Sequence, residues 1–235
     1  MIKVYLFLLI ILLFDQTYPQ SDDKFSYKND FKKILEYSKT KDHQLYYPTL
    51  LNRFMKNDTT LTNNEIIAML IGYTENDNYK PYEQMEIERK IFSLNVKKNY
   101  LKTIELSDSL LGKYPFSLLG NREKSFACYK LGKIEEQNLY FDRFTRITNA
   151  ILWSGDGVSP ETSLFVLGPA DGQTIIKFVL FCEIGEMGSG YSNEKYFTDI
   201  LEMKQESGEK VKLYFNIDHA IKKSSISKEL KEINK

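Results

Sequence analysis

Two histidines, His43 and His219, and two cysteines, Cys128 and Cys182, are the chain's whole supply of imidazole and thiol. His43 lies in the polar turn Lys41-Asp42-His43-Gln44, and His219 follows an apolar strand pattern. Neither stands in H-E-x-x-H or another metal-ligand spacing, so both are expected at the surface or in turns. Cys128 sits in a helical pattern and Cys182 in an apolar one, so both read as small buried hydrophobes before they read as a disulfide. Two thiols without a close pair cannot build a Cys-type zinc site. A hydrolase serine needs an elbow such as G-x-S-x-G, and Gly188-Ser189-Gly190 is too short a match. Phosphate-binding and dinucleotide-binding glycine motifs are missing from the sequence. No catalytic residue is assigned, and no cofactor or metal is expected.

One compact cluster of oxygen-bearing side chains stands out. Asp156, Ser159 and Glu161 fall within the turn-rich segment Ser154–Thr162. Oxygen ligands on a tight loop suit Ca²⁺, but the 12-residue EF-hand frame and its carboxylates are missing. Asp, Ser and Thr in such segments bond to nearby backbone groups, so the segment is read as a turn. Asp156 and Glu161 remain the candidates for an alternative, a carboxylate-dependent hydrolase.

The elements that must position these groups divide the chain in two. Residues 22–153 carry helical periodicity. Phe31, Ile34 and Leu35 line a first helix; Pro48 opens a second with Leu50, Leu51, Phe54 and Met55 as its apolar face. Thr62 and Glu65 form a capping box before Ile66–Ile71, and Gly72 is read as a left-handed stop. Pro81 starts the next helix. Helix patterns open again at Tyr100 and Ile134, 34 residues apart, the period of tetratricopeptide helix pairs. Thr103 and Gln137 stand where that motif expects Ala, so the resemblance is partial, and an ordinary bundle accounts for the spacing equally well.

Residues 154–220 read as strands: Ser163–Leu167; Thr174–Ile184 as a buried central strand; Tyr196–Lys204; and Lys210–Ile217 after a Ser207-Gly208 hairpin turn. Gly185–Asn193 reads as a mobile loop, and residues 221–235 as a polar tail. The fold class is therefore α+β, an N-terminal helical array followed by a small antiparallel sheet. The formal net charge is zero, with 32 basic and 32 acidic residues, which disfavours nucleic acid as a partner. Tyr46-Tyr47, Tyr79 with Tyr82 and Tyr140-Phe141 read as core aromatics or as a surface for a peptide or carbohydrate.

Three stretches together resemble a bacterial family known as domain of unknown function number 4919. They are Tyr46-Tyr47-Pro48 through Asn57–Thr62 to Gly72-Tyr73-Thr74, then Gly155–Thr162, then Lys212–Asp218. The resemblance implies an exported protein of Gram-negative bacteria with helices first and a small sheet last. It implies no activity, so no site residue is carried over.

Residues 1–21 have the layout of a secretory signal: Lys3, the 11-residue apolar run Val4–Phe14, then polar residues. A membrane-spanning helix needs about 20 apolar residues, so no transmembrane segment is expected after removal of the signal. The function expected is a non-catalytic protein- or peptide-binding module of the periplasm or the secreted fraction, with the helical part as the binding part, since stacked helix pairs present a concave groove. N-terminal sequencing of the native protein is expected to find the first ~20 residues gone; an intact Met1 contradicts export.

Overall fold

A computed structural model describes residues 25–192 and 196–224. Residues 1–21, and with them the expected signal, lie outside the described residues, as does the tail beyond 224. Seven helices open the described chain: α1 Tyr27–Lys39, α2 Tyr47–Met55, α3 Asn63–Tyr73, α4 Pro81–Val96, α5 Tyr100–Leu111, α6 Leu118–Lys130 and α7 Ile134–Trp153. Then follow β1 Leu164–Phe165, α8 Pro169–Phe178, β2 Glu183–Tyr191, β3 Phe197–Lys204 and β4 Lys210–Asn216. Residues 218–224 are helical again. The α+β class holds. Among the described residues no helix is long and apolar enough to cross a membrane.

The centre is α3. Thr62 Oγ1 accepts from Glu65 N–H at 3.2 Å and Glu65 Oε2 accepts from Thr62 N–H at 2.8 Å, the expected capping box. Every residue from Ile66 to Tyr73 is buried, so the helix is apolar all round and packs against α1, α2 and α7. Gly72 does not stop it. The residue is helical, and a Cβ there would meet Tyr47 Cβ and Cδ2 at 2.9 Å. Close approach of α2, not a left-handed turn, explains this glycine. Helices do open at Tyr100 and Ile134, but they are 12 and 20 residues long.

The sheet order is β1-β4-β3-β2. β3 and β4 pair antiparallel from Thr198↔Asn216 to Lys204↔Lys210, around a turn in which Gly208 takes φ +86°. β1 pairs parallel with β4, so the sheet is mixed, not wholly antiparallel. Two strand readings need correction. Thr174–Ile184 is not a central strand: α8 occupies it as far as Phe178 and buries Ile175 and Ile176. A short apolar run fits a helix as well as a strand, and Pro169 with Asp171 decides it by starting and capping the helix. Gly185–Asn193 is not a loop as far as Tyr191, because β2 pairs with β3 from Glu183↔Lys204 to Tyr191↔Phe197.

One apolar cluster joins the two parts. Phe54, Ile67, Phe116 and Ile151 from the helices belong to the same core as Phe165, Ile175, Leu201 and Phe215. A Cβ on Gly172 of α8 would lie 3.0 Å from Phe215 and 3.1 Å from Leu201, so α8 lies close on one face of the sheet.

Candidate functional site

The buried stripe of α4 is not apolar. Its buried positions are Pro81, Gln84, Glu88, Ile91 and Asn95, a helical spacing that puts three polar side chains inside. Each needs a partner. Gln84 Nε2 donates to Asn78 O at 2.8 Å. Asn95 Nδ2 donates to Glu123 Oε2 at 2.6 Å and Glu123 O at 2.9 Å. Glu88 Oε1 accepts from Ser117 Oγ at 2.5 Å. Ser117 also caps α6, its Oγ accepting from Gly120 N–H at 2.8 Å.

Asp171 stands nearby at the start of α8. Its Oδ2 accepts from Leu167 N–H at 3.0 Å and Gly168 N–H at 3.2 Å. Tyr79 Oη donates to Leu167 O at 2.6 Å and holds the same segment from the other side. Burial pushes the Glu88 carboxyl up to about 8, and the Asp171 charge adds to the rise. Burial raises Asp171 to about 7, against backbone N–H donors that favour its ionised form. Glu88, with a single hydroxyl donor, is the acid that stays protonated at neutral pH.

Glu88 lines a cleft of about 180 Å³ between α4 and α8. Met85, Phe92 and Phe178 form its apolar walls; Arg89 and Lys177 are its cations. Phe178 is fixed by the Arg122 guanidinium, 3.6 Å over its ring, and Arg122 is itself paired with Glu123. A second depression of about 480 Å³ shares Gln173 and Lys177 with the first and continues to Glu183, Ile184 and Met187 on β2.

β2 is an edge strand with no described strand on its outer side. Ser192 N–H donates to Tyr196 O at 2.8 Å, continuing the β2–β3 ladder. Antiparallel ladders alternate inward and outward groups, so the N–H and C=O of Ser189 and Tyr191 point away from β3. Phe181, Met187 and Tyr191 are 81%, 63% and 70% exposed beside this edge. Phe181 also holds φ +54°, a costly conformation for a bulky side chain.

The residues singled out in the sequence lie elsewhere. Asp156 Oδ1 accepts from Val158 N–H at 3.0 Å and Thr162 Oγ1 at 2.5 Å, the geometry of a turn. Asp156, Ser159 and Glu161 line neither cleft. Among the described residues no group of three His, Cys, Asp or Glu is placed to hold a metal. His43 occupies its turn, stacked 4.1 Å from Tyr37. His219 is not a surface residue. It is 6% exposed and stacks on Phe165 at 4.8 Å and Phe31 at 5.7 Å; burial holds it down at about 4. Cys128 and Cys182 are both free; Cys128 is buried and Cys182 half-buried. Glu88, Ser117 and Asp171 went unnoticed in the sequence, although the spacing 81, 84, 88, 91, 95 and the Gly168-Pro169-x-Asp171 start were there to be read.

A family model described as "Domain of unknown function (DUF4919)" matches residues 32–225. No curated protein and no solved structure matches the chain.

The buried groups make stability depend on pH. His219, ordinarily 6.5 and held at about 4, is neutral when folded and half protonated at pH 6.5 when unfolded. Its opposing contribution fades above that pH, and the raised acids outweigh it. Unfolded, Glu88 and Asp171 lose their protons near 4.5 and 3.8; folded, they keep them up to about 8 and 7. The folded state then binds more protons, so stability falls as pH rises from 6.5 to 8. Thermal melts are expected to show this fall, and Glu88→Gln, which cannot ionise, to reduce it. A melting temperature that is flat or rising in the wild type across this window contradicts the assignment.

Proposed function

The chain belongs to the DUF4919 family, and from that premise we propose that it is an exported, non-catalytic module that binds a peptide as an added strand along β2. The observation that carries this reading is the open edge of β2 running beside the groove formed with α8. Main-chain groups at the edge supply sequence-independent hydrogen bonds, and the exposed Met187 and Tyr191 supply apolar contact. Long apolar edges are otherwise blunted with charge or proline; residues 187–191, Met-Gly-Ser-Gly-Tyr, carry neither. The site thus moves from the helical array, where stacked helix pairs suggested it, to the boundary of α8 and β2. Export rests on the charge and apolar layout of residues 1–21.

The carboxylate-hydrolase alternative has less support. Its candidates Asp156 and Glu161 line neither cleft, and Asp171 does not line the cleft that Glu88 lines, so a pair of carboxylates facing one substrate is not assembled there.

Ser189→Pro tests the reading. Proline removes an outward N–H while sparing the ladder to β3, and edge strands accept it. The full chain is incubated with a pool of short random peptides, and the retained peptides are read by mass spectrometry. The wild type is expected to retain extended, apolar-alternating sequences. Retention by Ser189→Pro should fall about tenfold, the scale of one or two lost main-chain hydrogen bonds, with little change in melting temperature. Equal retention by both proteins, or none by the wild type, contradicts strand addition.

A further inference from the structure

We propose that the cleft between α4 and α8 receives the C-terminal residue of the bound peptide, an apolar residue with its free carboxylate; this inference rests on the strand-addition reading above. The size of the cleft comes first. At about 180 Å³ it lies below the roughly 300–1,000 Å³ of sites for whole small-molecule ligands, and it suits one residue of a longer chain. Its position comes second. The neighbouring depression shares Gln173 and Lys177 with it and includes Met187 on β2, so the cleft lies next to a chain laid along β2.

The chemistry of the lining then selects the residue. Met85, Phe92 and Phe178 ask for an apolar side chain. Arg89 and Lys177 ask for an anion; neither enters an ion pair among the described residues. Glu88 is 2% exposed, and Ser117 occupies one of its oxygens. The other belongs to a side chain that lines the cleft. Kept protonated by burial, that carboxyl donates, so it seeks an acceptor. An internal acidic residue would bring an anion but leave the apolar walls unfilled. An internal apolar residue would leave both cations unpaired. A terminal residue brings an apolar side chain and a carboxylate together on one residue, into a cleft lined by Arg89, Lys177 and Glu88 as donors.

Two matched pools of short random peptides test this on the full chain, one with free C-terminal acids and one with C-terminal amides. The wild type is expected to retain the acid pool about tenfold better, the scale of one charge-assisted contact, with Leu, Ile, Val, Met or Phe at the last position. The double variant Arg89→Ala, Lys177→Ala alters exposed side chains only, and it is expected to retain both pools alike. Equal retention of acid and amide pools by the wild type overturns the chain-end site and leaves strand addition standing. A preference that survives in the double variant overturns it too. Retention of neither pool overturns both proposals.

Discussion

The buried stripe of α4 constrains much of what surrounds it. A helix that buries Gln84, Glu88 and Asn95 must find partners for them, because an unpaired buried polar group costs about 1–3 kcal/mol. Each partner comes from a different place. The turn before α4 supplies Asn78 O, the cap of α6 supplies Ser117, and the body of α6 supplies Glu123. The bonds from Ser117 and Glu123 fix the position of α6 against α4 more tightly than apolar contact would, since they are directional. Ser117 is the joint: the same oxygen starts α6 and satisfies Glu88.

The placement of α8 follows from the same region. Asp171 ties the start of α8 to Leu167 and Gly168, and Tyr79 holds Leu167 from the helical side. From there α8 lies across the sheet, close enough at Gly172 that an added Cβ would crowd Phe215 at 3.0 Å and Leu201 at 3.1 Å. β2 is left as an edge with its outer backbone unpaired by any described strand. A polar knot in the interior thus sets both a small lined cleft and an open strand edge, and it sets them side by side. The proposed function uses that adjacency.

Much of the helical array was legible because its signals are local. The Thr62–Glu65 box and Pro48 and Pro81 at helix starts are each set by a few neighbouring residues, and the structure places them as the sequence suggests. β3 and β4 were legible from alternation and the Gly208 turn. Local pattern failed where tertiary context decides. Residues 174–178 are apolar enough for a buried strand, and only the Pro169 and Asp171 start makes them a helix. β2 contains Gly185, Gly188 and Gly190, a loop-like composition that pairing with β3 overrides. His219 looked exposed because the rings that enclose it come from residues 27, 31, 79 and 165, far away in the chain. The site was missed for a related reason: Glu88 and Lys177 are ordinary charged residues until the fold puts a cleft between them.

The central claim is that the partner lies along β2 and in the cleft between α4 and α8, and not on the helix pairs α5–α7. Hydrogen exchange measured with and without a retained peptide addresses it residue by residue, because backbone amides that gain a strand partner exchange more slowly. The account predicts new protection concentrated in residues 187–191 and at the cleft, around Arg89 and Lys177, with α5 and α7 unchanged. Protection confined to α5, α6 and α7, with β2 exchanging as before, would contradict it and return the binding surface to the helices.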